Sequence, residues 1–263
     1  MEIARTPMIA GNWKMNLDHL QAIAFVQKLA WSLKDHDYSP EKVEVAVFPP
    51  FTDLRSVQTL IAADKLPLEL GGQDLSPHES GAHTGDISGA FLAQLNCRYV
   101  IIGHSERRAD HHETDELVAA KTTAALKHGL VPVVCVGETA EDRETHGSAK
   151  IPVEQLRVVL DAIPADSDYV VAYEPVWAIG SGTPATADEA EEVCGVLREA
   201  IADVHGQERA VKTRILYGGS VKSGNIAGFM KRPNVDGALV GGASLDVEEF
   251  SAIVRFPDHV TID

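Results

Sequence analysis

TRILYGGSVKSGNIAGFMKRPNVDGALVGGASL, residues 213–245, holds two short strands of the same make. TRILYGG from Thr213 and VDGALVGG from Val235 are apolar runs that each end on a pair of glycines. Neither alternates between apolar and polar. A near-continuous apolar run marks a strand buried on both faces, as parallel sheets are. Six more runs of this kind precede them: MIAGNW from Met8, VEVAVF from Val43, LELGGQ from Leu68, YVIIG from Tyr99, VPVVCVG from Val131 and YVVAYE from Tyr169. Helical spacing fills the intervals. Leu20, Ile23, Ala24, Val26 and Leu29 recur within Asp18 to Lys34, and residues 187–204 are acidic at their start, as a helix N-terminus prefers. DVEEFSAIVRF opens on Asp246, a capping residue type. Strands alternating with helices imply parallel pairing through right-handed crossovers. Eight such units within 263 residues predict a closed (β/α)8 barrel. No Pro/Ser-rich linker or change of composition divides the chain, so residues 1–263 are expected to form one domain.

Composition excludes several classes of function. A net charge of -16 opposes binding to nucleic acid, which selects clustered Lys and Arg, and opposes anionic membrane surfaces. Cys97, Cys135 and Cys194 are odd in number and far apart, with no CxxC pair, so neither a disulfide framework nor a zinc site is expected. The N-terminus lacks the apolar core of a signal peptide, and no run nears the ~18 apolar residues of a membrane span. A cytoplasmic protein without cofactor or metal is expected.

Active sites of such barrels lie at the C-terminal ends of the strands. Those ends carry Asn12, Lys14, Gln73, His104 with Ser105 and Glu106, Glu138, Glu174, Ser220, and Gly241 with Gly242. Each has a plain alternative: a surface lysine, a packed histidine, a glutamate in an ion pair, glycines serving tight turns. Their context favours chemistry. His104 runs into a helical turn whose N–H groups would favour the neutral imidazole. Glu174 precedes an apolar, glycine-punctuated segment, as a base would that must be desolvated. The glycine pairs let backbone N–H groups approach an anion, and a helix start after each would add attraction for phosphate. A base, a neutral hydrogen-bond donor, a cation and a phosphate cradle together suit proton abstraction beside a carbonyl in a small phosphorylated substrate.

Other patterns carry no function. GSGTPA from Gly180 mimics a dinucleotide fingerprint without its strand–turn–helix context. GGSVK has Lys222 where a nucleophile elbow needs glycine. The histidines of DHHETDE, from Asp110, are adjacent and cannot share a helix face. Cys135, in mid-strand, is expected to be packing.

AGNWKMN, GHSERR, YEPVWAIGSG, LYGGSV and LVGGASL, in this order over nearly the whole chain, resemble the signature segments of the triosephosphate isomerase family. The resemblance implies interconversion of dihydroxyacetone phosphate and glyceraldehyde 3-phosphate, by the mechanism known for that family, in which a glutamate base works beside a neutral histidine. It implies Glu174 as base, His104 as electrophile, Lys14 as electrostatic stabiliser and Asn12 as a substrate contact. Backbone N–H groups of Gly180, Ser220, Gly241 and Gly242 would grip phosphate, and Glu106 would stand behind Lys14. Pro175, Val176, Trp177, Ala178, Ile179, Gly180, Ser181, Gly182, Thr183, Pro184 and Ala185 would form a mobile lid, apolar because it excludes water. The loop around Thr84 would insert into a second copy to make a homodimer. Three features depart from the family pattern: His83 stands where tyrosine is usual, Ala109 is smaller than common, and Thr183-Pro184-Ala185 forms the second hinge where Lys is frequent at the first position. Another phosphate-binding barrel isomerase, or a barrel used only for binding, remains the alternative reading of the residues.

Overall fold

The computed structural model describes residues 5–179 and 184–259. Eight parallel strands close on themselves in chain order: β1 (Met8–Asn12), β2 (Glu44–Phe48), β3 (Glu69–Gly72), β4 (Tyr99–Ile102), β5 (Val131–Val136), β6 (Val170–Tyr173), β7 (Ile215–Tyr217) and β8 (Gly237–Val240). The closing register pairs Met8 of β1 with Glu44 on one side and with Gly237 on the other. Gly237 is obligatory there, because a Cβ would stand 1.9 Å from the Met8 carbonyl oxygen. The expected (β/α)8 barrel is therefore observed.

The double burial inferred from the apolar runs is visible strand by strand. All five residues of β1 are buried. Met8 and Ala10 pack inside the barrel with Phe48, Ile101, Cys135 and Leu239, whereas Ile9 belongs to the layer between sheet and helices. Cys135 is packing, as expected. The N-terminal mouth is closed by polar groups: Tyr99 donates to Glu44, and Arg214 donates to Glu44 at 3.1 Å and to the Tyr99 hydroxyl at 2.7 Å.

Helix termini follow their caps. The first helix, His19–Asp35, begins one residue after the expected Asp18, because Asp18 is the cap: its carboxylate accepts from the N–H groups of Leu20 and Gln21. Ala187–His205 starts from a Thr186–Glu189 capping box, and Val247–Val254 from Asp246. The strands are shorter than the apolar runs. Trp13, Gln73, Gly103, Gly137, Glu174, Gly218 and Gly241 lie just beyond the last ladder residue, where the chain turns outward and side chains are freed for a site. No described helix is long and apolar enough to cross a membrane.

Candidate active site

The turn after β1 is built to present Lys14. Its φ of +53° is left-handed, a conformation costing an L-residue roughly 1 kcal/mol or more. Side-chain hydrogen bonds hold the turn. Asn12 Oδ1 accepts the Lys14 N–H at 3.0 Å, and Gln73 Nε2 donates to the carbonyls of Lys14 (2.7 Å) and Phe48 (2.8 Å). The ammonium pairs with Glu106 at 2.5 Å, so Glu106 stands beside Lys14 as the resemblance implied.

β4 delivers His104 at the N-cap of the short helix Ser105–Asp110. The Glu106 N–H donates to Nδ1 at 3.2 Å. An acceptor nitrogen has no proton, so this bond specifies the neutral ring with its proton on Nε2. Nε2 lies 3.0 Å from Glu174 Oε1. The helix start supplies the expected N–H to the ring, yet the net shift of the imidazole pKa is upward. Burial pushes it down, but the Glu174 carboxylate outweighs burial by charge and hydrogen bond, with Glu106 adding to it. The support from Glu174 lasts only while that carboxylate sits on the ring, whereas the Glu106 N–H is fixed.

Glu174 directly follows β6 and is 2% exposed. Oε2 accepts the Ser105 N–H at 2.9 Å, and Oε1 accepts the Ser105 hydroxyl at 3.2 Å. Burial raises the carboxyl pKa, but His104 and then Ser105 more than offset it, and the net direction is down. Two glycines make room for this residue. A Cβ on Gly137 would stand 1.9 Å from the Glu174 carbonyl oxygen, and one on Gly218 would stand 2.9 Å from its Cγ.

Asn12, Lys14, His104, Glu174, Ser220, Gly241 and Gly242 line one cavity of about 390 Å³, together with Ile179, Gly219 and Lys222. A second cavity of about 490 Å³ shares Asn12, Lys14 and His104 and extends over Glu106, Gln73 and Met15. The glycine pairs are not in left-handed turns. Only after β8 does a helix follow at once, the 3₁₀ turn Gly242–Leu245. After β7 the helix Ile226–Met230 starts six residues beyond Ser220, which corrects the expected helix start. Asn225 explains the delay: its Oδ1 accepts the Lys222 N–H and its Nδ2 donates to the Ser220 carbonyl, closing a turn first.

Beyond Glu174, Pro175 is buried and Val176–Ala178 form a 3₁₀ turn. Trp177 Nε1 donates to Glu138 at 2.8 Å. Gly180, Ser181, Gly182 and Thr183 lie outside the described residues; Pro184 is exposed and Ala185 buried. Sequence reasoning placed Ser105, Gln73 and Glu138 at strand ends without assigning them tasks. Here they hold Glu174, the Lys14 turn and Trp177. Their position beside His104, Lys14 and Trp177 was the available signal, but the pairing of side chains was not in it. Around Thr84 the loop is exposed, with Gly81 at φ +112° and Gly85 at +94° in left-handed turns. His83 stacks on His78 with ring centroids 3.8 Å apart.

The family model described as Triosephosphate isomerase matches residues 7–257. A triosephosphate isomerase of Leifsonia xyli subsp. xyli is 69% identical over 256 residues, covering 97% of this chain and 99% of its own. That of Streptomyces avermitilis is 57% identical, with 97% and 99% covered. That of Mycobacterium tuberculosis is 55% identical, with 95% and 96% covered. With the family model spanning nearly the whole barrel, this chain belongs to the triosephosphate isomerase family.

Proposed function

We propose that Glu174, His104 and Lys14 carry out the reaction of the family, with residues 1–263 acting as one catalytic domain. The chain is an isomerase that interconverts dihydroxyacetone phosphate and D-glyceraldehyde 3-phosphate. The supporting observation is convergence: a buried carboxylate, an imidazole whose Nδ1 accepts the Glu106 N–H and an ammonium line one cavity with the glycine pairs of β7 and β8. Ser220, Gly241 and Gly242 would hold the phosphate, Gly180 would join them, and Asn12 would face the substrate.

In the arrangement observed, base and electrophile are tied to each other. Glu174 occupies the His104 Nε2, the atom needed for the substrate carbonyl, and His104 together with Ser105 keeps the carboxyl pKa low against burial. Reaction requires Glu174 to leave Ser105 and His104 and turn to the carbon beside the carbonyl. Burial then dominates its environment and raises its basicity. The carboxylate takes the proton, His104 Nε2–H donates to the oxygen that gains charge, and Lys14 stabilises the enediolate. Protonation of the neighbouring carbon by the same carboxyl group completes the exchange. Residues 175–185 would exclude water while this happens, with Trp177 and Ile179 as apolar surface.

The same reading takes the protein as a homodimer in the cytoplasm. Met15 is 94% and Phe91 61% exposed, and the exposed loop around Thr84 offers a projection for the cavity beside Lys14 of a second copy. All three cysteines are free and buried, which suits a reducing compartment. A coupled assay run from each triose phosphate tests the function. Turnover in both directions is expected, and its absence in folded protein would refute the reading.

A further inference from the structure

Arg143, on the helix Ala140–His146 that follows β5, had no place among the residues singled out by sequence. Its guanidinium touches groups from three different elements. The carbon Cζ lies 4.6 Å from the centroid of the Trp177 ring, Nη1 lies 3.4 Å from Glu138 Oε1 and Nη2 lies 2.9 Å from Glu189 Oε1. Glu138 Oε1 is the atom that accepts from Trp177 Nε1 and from the Tyr173 hydroxyl. Glu189 uses its other oxygen to accept from the N–H and hydroxyl of Thr186, the cap of Ala187–His205. One planar cation thus covers the indole three residues past Glu174, neutralises the fully buried carboxylate that anchors that indole, and reaches the residue that fixes the chain where it re-enters the barrel wall.

We infer that Arg143 is a positioning residue for the base: stacked on Trp177 and paired with Glu138 and Glu189, it holds residues 174–177 in the resting arrangement and so sets its balance against the reactive one. The inference rests on the reading of Glu174 as the base. Every contact of Arg143 described above belongs to the arrangement in which Glu174 sits on Ser105 and His104. Glu138 depends on it as well, since burial pushes that carboxyl pKa up while Trp177, Tyr173 and the Arg143 charge pull against it. A lysine could replace the charge. It could not lie flat on the indole while reaching two carboxylates, because an ammonium is a compact point charge.

On this inference the Arg143 contacts stabilise the resting arrangement over the reactive one, so removing them shifts the population toward the reactive state, which binds substrate more tightly and releases product more slowly. The test is steady-state kinetics and binding of 2-phosphoglycolate, a phosphorylated carboxylate resembling the enediolate in charge, on full-length wild type, Arg143→Met and Arg143→Lys. In Arg143→Met, kcat and KM are expected to fall together about fivefold with kcat/KM kept within about twofold. Phosphoglycolate should bind about fivefold tighter, or about 1 kcal/mol at 1.4 kcal/mol per tenfold. Arg143→Lys should fall between the two, and it carries the test if the methionine variant does not fold. A merely structural role would lower the melting temperature and leave KM and phosphoglycolate affinity unmoved, and that outcome overturns the inference. The two readings fail differently. Wild-type turnover that depends on Glu174, with both Arg143 variants kinetically like wild type, sinks only this inference; wild-type turnover that survives Glu174→Gln sinks the assignment of the base.

Discussion

Gly218→Ala tests how tightly the wall behind the base is drawn. A Cβ at this position would lie 2.9 Å from Glu174 Cγ and 3.1 Å from the Tyr173 carbonyl oxygen. Carbon atoms in contact sit about 3.5–4.0 Å apart, so about 0.6–1.1 Å of movement is required. The Tyr173 carbonyl accepts the Gly218 N–H at 2.7 Å within the barrel and yields less readily than a side chain. The Glu174 carboxylate therefore shifts, and a misplacement of about 1 Å can cost about 10²-fold in rate, equivalent to about 2.7 kcal/mol in the barrier. Overpacking adds about 1–3 kcal/mol of lost stability. Turnover and urea unfolding should be measured beside Gly224→Ala, where a Cβ meets nothing within 4 Å and both quantities should stay near wild type. A Gly218→Ala protein with turnover within about threefold of wild type would refute the reasoning, because the base could then move without consequence.

Titration of His104 by NMR should show its pKa falling in Glu174→Gln, since Glu174 provides the largest upward contribution. The stability contributed through His104 is present below about pH 6.5 and lost as pH rises through its raised folded-state value, whereas the share contributed through Glu174 is lost as pH falls through its lowered one; an unchanged His104 pKa would contradict it. Lys121→Met should cost about 3–5 kcal/mol in urea unfolding, because Lys121 is 4% exposed and holds Asp74 at 2.7 Å and Glu113 at 2.5 Å, and a loss under about 1 kcal/mol would show that Arg107, 3.0 Å from Asp74 and 2.6 Å from Glu113, alone suffices. Lys14→Met should weaken phosphoglycolate binding and lower kcat, each by at least about tenfold, whereas unchanged binding would remove the cation from the site.

The barrel was legible because burial on both faces of eight strands leaves one kind of sequence trace, the unbroken apolar run. Candidate residues were legible because strand ends are the only places where such a chain can expose polar groups to a shared cavity. What the sequence withheld was pairing across the barrel top. That Ser105 holds Glu174, 69 residues away, or that Arg143 covers Trp177, depends on how adjacent loops face each other, and no local spacing encodes it. The glycines show the same limit. Gly218 and Gly219 were read as room for an anion, but Gly218 also makes room for the base, and a Cβ on Gly219 would strike the Tyr217 hydroxyl at 2.2 Å. The upward shift of His104 likewise arises from a carboxylate distant in sequence, not from the helix that begins beside it.

Whether Glu174 is the base is decided by the turnover of Glu174→Gln in the coupled triose phosphate assay. The amide keeps the size of the side chain and cannot take the proton. Turnover should fall by about 10²- to 10⁴-fold, while circular dichroism and phosphoglycolate binding confirm a folded chain with a working phosphate site. A folded Glu174→Gln protein whose turnover stays within about tenfold of wild type would contradict the assignment of Glu174 and the mechanism built on it.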